Sequence, residues 1–156
     1  MFRGLQAVLV GLVLALVLCC APACSTLLDT YPNAHKRADL AGTWVHGPGE
    51  LVLNADGTFE MTDMPKWVVD GDSSLSKSGQ SVSCTGTWTF QKETQNLDLT
   101  GTGSSCSSGL IATGRAGEIT ITFGIDDGSG DPRCYELVRA GSRLKPQGID
   151  ECLQYN

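Results

Sequence analysis

Residues 42–61, Gly-Thr-Trp-Val-His-Gly-Pro-Gly-Glu-Leu-Val-Leu-Asn-Ala-Asp-Gly-Thr-Phe-Glu-Met, leave the chain little choice of local structure. Leu51 and Leu53 share one face of an extended segment, and Phe59 and Met61 share one face of the next. Between them Asn54-Ala55-Asp56-Gly57 is a tight turn, because Asn and Asp bond their own backbone there and Gly57 reaches the left-handed region that side chains resist. A helix cannot use such a pattern. Three short strands in a row, joined by turns, can.

Composition extends this reading to the whole chain. Nineteen glycines, much Ser and Thr and 6% aromatic residues predict many turns and short strands, hence an all-β fold. A length of 156 residues suits one small domain plus an N-terminal address. The formal charge is −6, and removal of residues 1–23, which hold Arg3 and no acid, takes it to −7. Nucleic acid is therefore excluded as a partner, since affinity there comes largely from Lys and Arg on phosphates.

Met1-Phe2-Arg3 is a basic start, and residues 5–20 follow with no charge and Gln6 as the polar exception. This reads as a signal peptide over 1–23, the apolar run being short for a membrane span. Ala21-Pro22-Ala23-Cys24 ends it and resembles a bacterial lipobox, which implies lipidation of Cys24 and an anchor in the outer face of the cell membrane. An alternative cut before Cys20 leaves an unpaired thiol. The cut before Cys24 leaves one thiol for the lipid and Cys84, Cys106, Cys134 and Cys152 for two disulfides. Residues 24–39, with Pro32, Asn33, His35, Lys36 and Arg37, read as a flexible polar tether, and the barrel domain is expected over 40–139 with a tail over 140–156.

Within the domain, residues 83–90 alternate strictly, placing Cys84, Gly86, Trp88 and Phe90 on one face. Leu97 and Leu99, residues 110–113, residues 117–123 and residues 134–139 supply further strands. Gly86-Thr87-Trp88 echoes Gly42-Thr43-Trp44, a weak internal repeat. About eight short strands joined mostly by tight turns predict an antiparallel up-and-down β-barrel, because closure removes sheet edges, with a β-sandwich as the alternative. Residues 63–81 form a long connection in which Trp67, Val68 and Val69 either plug the end of the domain or meet a ligand. Four cysteines allow three pairings. Cys84 with Cys106 ties the open end of a hairpin, and Cys134 with Cys152 pins the tail, so this pairing is expected.

Gly42-Thr43-Trp44 on a first strand, a meander, and a last strand ending in Arg139 resemble the calycin group of lipocalins and avidin-like barrels. The whole is similar to small lipocalin-like lipoproteins of Gram-positive, particularly actinobacterial, envelopes. The resemblance implies that Trp44 closes the base of the barrel and that Arg139 packs over it, both in structural roles. The chain departs from lipocalins in having no Thr-Asp-Tyr motif before its last strands and a short tail containing Gly and Pro.

No catalytic constellation is legible. The two histidines, His35 and His46, lie in the tether and at a strand end, and Ser74-Leu75-Ser76-Lys77 stands without the companion Lys-Thr-Gly of penicillin-recognising enzymes. The expectation is a monomeric, non-enzymatic envelope protein with no cofactor and no metal. Its barrel binds a small apolar ligand through Phe59, Met61, Trp67, Trp88 and Phe90, or an envelope protein partner, unless the same side chains simply fill a narrow ring. Alternatively the chain is an inhibitor or interaction scaffold presenting residues 63–81 to an extracytoplasmic target.

Overall fold

The computed structural model describes residues 32–71, 79–102, 106–125 and 133–148. The expected signal peptide, Cys24 and Cys152 lie outside the described residues. Eight antiparallel strands run in chain order: β1 Gly42–His46, β2 Gly49–Leu53, β3 Thr58–Pro65, β4 Ser81–Gln91, β5 Asn96–Gly101, β6 Ser108–Arg115, β7 Glu118–Ile125 and β8 Arg133–Arg139. Each pairs with the next, and β8 returns to β1 through Trp44↔Arg139 and Val45↔Val138, so the sheet is a closed barrel and not a sandwich.

Period-two patterning explains why it closes. Leu51, Leu53, Phe59, Met61, Trp88, Leu97, Leu99, Leu110 and Phe123 alternate with exposed or half-exposed neighbours, Ile121 and Leu137 keep the same parity beside buried Thr120, Glu136 and Val138, and all eleven are buried. The register brings them into layers, as with Leu51↔Met61, Trp88↔Leu99 and Ile121↔Leu137. The turn after β2 forms as its residues dictate: Asp56 Oδ1 accepts from Thr58 N at 2.9 Å, and Gly57 sits at φ 94°. In β3 the register slips between Met61 and Met64, and Asp63 at φ 49° occupies the bulge.

Because consecutive strands reverse, the barrel has two distinct ends. One, the base, gathers the start of β1, the turns 54–57, 92–95 and 116–117, and the exit of β8. The other, the mouth, gathers the turn 47–48 and a four-residue helix, α1, Lys66–Val69, that follows β3 directly.

The packed structure begins earlier than Leu40. Ala34 is fully buried, and its N–H and C=O are held by Gln95 Oε1 and Nε2, each at 3.0 Å. Residues 37–39 make one 3-10 turn at the base. A polar sequence concealed this, because a side-chain amide pairing with one backbone residue leaves no periodicity to read.

Candidate functional site

The residues that could carry function fall into three groups: the base, the lumen with its plug, and a groove at the mouth.

At the base, two tryptophans are treated alike. Trp44 Nε1 donates to Leu40 O at 2.8 Å, and Trp88 Nε1 donates to Asn54 O at 2.9 Å, so each indole is buried with its N–H satisfied. An arginine lies over each ring, Arg139 at 4.4 Å and Arg37 at 4.6 Å from the ring centroid. The guanidiniums also bond backbone: Arg139 donates to Ala41 O and Asp39 O at 2.9 and 2.6 Å, and Arg37 donates to Trp88 O at 2.8 Å. Gly42 and Gly57 make room, because a Cβ on either would run into the arginine beside it. The likeness of residues 42–44 and 86–88 reaches only their tryptophans: the glycine beside the arginine over Trp88 is Gly57, and Gly86 faces Thr100 O and Phe59 instead. The Arg139–Trp44 pairing is as expected; the role of Arg37 was hidden in what read as a tether.

In the lumen, the ligand candidates do not converge on one open space. Phe59 and Met61 are packed in the core, Phe90 is half-buried at its edge, and Trp88 is committed to the base. Trp67 is at the opposite end. Together with Val68 and Val69 on α1 it is buried, so the helix plugs the mouth. Behind the plug the Trp67 ring meets Tyr135 edge-on at 5.6 Å, and Tyr135 stacks on His46 at 4.0 Å with an interplanar angle of 12°. Tyr135 donates its hydroxyl to His46 O at 3.0 Å, and His46 Nδ1–H donates to Glu136 O at 2.7 Å. Burial pushes the Tyr135 phenol up to about 12. This aromatic column was not legible in advance: His46 had read as an exposed strand end.

The groove lies where β4 outruns β5. Pairing with β5 starts at Gly86↔Gly101, and beyond it Thr102 donates N–H and hydroxyl to Thr85 O. The Cys84–Cys106 disulfide, formed as expected, crosses the place where the ladder ends. A solvent-open groove of about 470 Å³ follows, walled by Glu60, Ser83, Thr85 and Thr102 and floored by Met61 and the disulfide. Its chemistry is that of hydroxyl groups, one carboxylate and an apolar floor.

Cys134 is also disulfide-bonded, while its expected partner Cys152 lies outside the described residues. A second clasp holds the tail. Arg115 Nε and Nη2 donate to both carboxylate oxygens of buried Glu136 at 2.9 and 2.7 Å, Arg115 Nη2 reaches Lys145 O, and Gln147 N donates to Glu136 Oε2. Residues 142–148 are thereby strapped over the outer face of β8. Among the described residues no three His, Cys, Asp or Glu side chains gather to hold a metal ion. Asp70 is engaged with Lys66 one helical turn away, and Asp72, Asp126, Asp127 and Asp131 lie outside the described residues.

Compared with known proteins, the chain matches no family model, no curated sequence and no solved structure.

Proposed function

We propose that this chain is a lipid-anchored protein of the outer face of a bacterial cell membrane, lipocalin-like in build, that acts as a non-catalytic binding scaffold through the outer surface at its mouth. The observation that carries the reading is the commitment of the lumen. Trp44 and Trp88 close the base, Trp67, Val68 and Val69 plug the mouth, and Phe59 and Met61 fill the space between. A ring of eight strands is either filled by side chains or holds one small ligand, and the buried cluster here supports the filled ring. Binding then falls to the exterior, where the groove beside Cys84–Cys106 offers the built surface. Glu60 in its wall and Asp63 and Glu50 nearby suit a basic partner, an envelope protein or polymer. Anchorage rests on the lipobox-like stretch ending in Cys24.

The test is native mass spectrometry of residues 25–156, exported to an oxidising compartment and purified without detergent, beside capture from envelope extract. A clean apo mass, with capture lost on Thr85→Trp and Glu60→Arg, is the expected result. An apolar adduct that survives these changes and disappears on Phe59→Ser would move the function into the lumen.

A further inference from the structure

We infer that the base of the barrel is a membrane-docking surface for anionic phospholipid headgroups, and that the acidic mouth is held away from the bilayer. This rests on the lipid-anchor reading for its geometry, and on the described residues for its chemistry.

The first argument is reach. Ala34 is locked into the base by Gln95, and about ten residues separate it from Cys24, a span of at most about 35 Å when fully extended. The chain therefore leaves the barrel at the base, and a lipid on Cys24 keeps that end nearest the bilayer. The segment once read as a loose tether is what sets the orientation.

The second argument is charge. Although the whole chain is acidic, the base gathers Lys36, Arg37, Lys92 and Arg143 as exposed side chains around half-exposed Arg139. Five acids share this end. Asp39 and Asp56 are turned onto backbone N–H groups, of His35 and Lys36 in one case and Thr58 in the other, while Asp98 accepts from Gln91, Glu118 accepts from Ser142 and Glu93 stays exposed. The cations come from three separate segments: the 3-10 turn with its preceding Lys36, the β4–β5 turn and the tail. At the mouth the balance shifts towards acid, with Glu50 and Asp63 exposed, Lys66 paired to Asp70, and Arg133 at the start of β8 half-buried. An anionic surface attracts the first end and repels the second, over a range set by the screening length.

The experiment adds the mature lipid-bearing chain, residues 24–156, to preformed vesicles of phosphatidylcholine alone or mixed with phosphatidylglycerol, floats the vesicles, and maps lysine acetylation by mass spectrometry. Docking predicts that Lys36 and Lys92 react about tenfold more slowly on the phosphatidylglycerol vesicles at low salt, that high salt restores them, and that Lys66 reacts equally on both. Lys92→Glu combined with Arg143→Glu, both on exposed side chains, should abolish the protection of Lys36 without lowering the melting temperature. Equal acetylation of Lys36 and Lys92 on the two vesicle types overturns the inference. Flotation with phosphatidylcholine alone reads the N-terminal anchor separately, so a chain that fails there yet shows the footprint on phosphatidylglycerol loses the anchor reading and keeps the docking surface.

Discussion

Arg139 and Trp44 meet twice: they are register partners across the seam between the last strand and the first, and the guanidinium of one lies 4.4 Å above the indole of the other. The same guanidinium holds Ala41 O and Asp39 O, so one side chain joins both chain ends of the domain. Arg37 repeats the contact on Trp88 from a more exposed position and with one backbone bond.

Arg139→Ala is therefore expected to cost about 3 kcal/mol, since it removes a charge-assisted pair of hydrogen bonds and leaves two carbonyls to find water. Arg37→Ala should cost about 1 kcal/mol, the range of an exposed cation–aromatic contact. Urea unfolding of the two variants checks both. A larger loss for Arg37 would mean that the N-terminal turn, not the seam, secures the base.

Cys84 and Cys106 enclose 22 residues of separation across the β4–β5 hairpin. Loop entropy alone assigns about 3 kcal/mol to the bond. Replacing both by Ser should lower stability by that order, and hydrogen exchange should rise first at Thr102 and Ser108, which flank the end of the ladder that the bond crosses. Uniform loss of protection instead would show that the bond supports the whole barrel.

Glu136 is 3% exposed and points to the outside of the barrel, where a buried carboxylate is tolerable because Arg115 and Gln147 N saturate it. Glu136→Leu removes the acceptor and strands Arg115, with an expected cost of about 3 kcal/mol. The specific readout is the tail: amide exchange of Leu144 and Gln147 should accelerate, and limited tryptic proteolysis should cut after Arg143. A tail that stays protected would place its attachment elsewhere.

Tyr135 carries the clearest dependence on pH. Its folded pKa is raised from 10.0 to about 12 by burial, so the neutral phenol stabilises the fold below pH 10 and that contribution is lost as pH rises towards 12. Absorbance titration should show one tyrosine ionising late, together with unfolding. At the acid end Asp39 lies below its usual 3.8 because it accepts from His35 N and from Lys36 N, and Asp56 does so because it accepts from Thr58. Both are lowered, so what they contribute is present above 3.8 and is lost as pH falls through their folded values; fraying should start at the base, visible as exchange at Ala34.

The strands were legible because each apolar residue inside the barrel obeys a period of two, from Leu51 to Leu137. Cys84–Cys106 was legible because hairpin pairing already brought the two segments together. Trp67 was legible as a plug or a lid, and its burial with Val68 and Val69 makes it a plug. What the sequence concealed is polar and non-periodic. Arg37 reaches Trp88 across 51 positions, Gln95 holds Ala34 across 61, and Arg115 finds Glu136 in a strand two neighbours away. None of these follows from local pattern, since a hydrogen bond to backbone can be made by any residue brought within range. The groove was missed for a different reason: it exists because β4 is longer than β5, and strand ends are where periodicity fades.

The seam between β1 and β8 sets the order of events in folding. Each of the other seven ladders joins strands adjacent in the chain, whereas this one joins residues 44 and 139 through two register pairs. Its loop-closure entropy is the largest in the molecule, and it is met only after the meander exists. Until residue 139 arrives, Trp44 has no cover and the first strand has an open edge. A chain made N-terminus first therefore completes this barrel only once residue 139 is free to return to Trp44, and the latch of the ring is a single arginine at the end of its last strand.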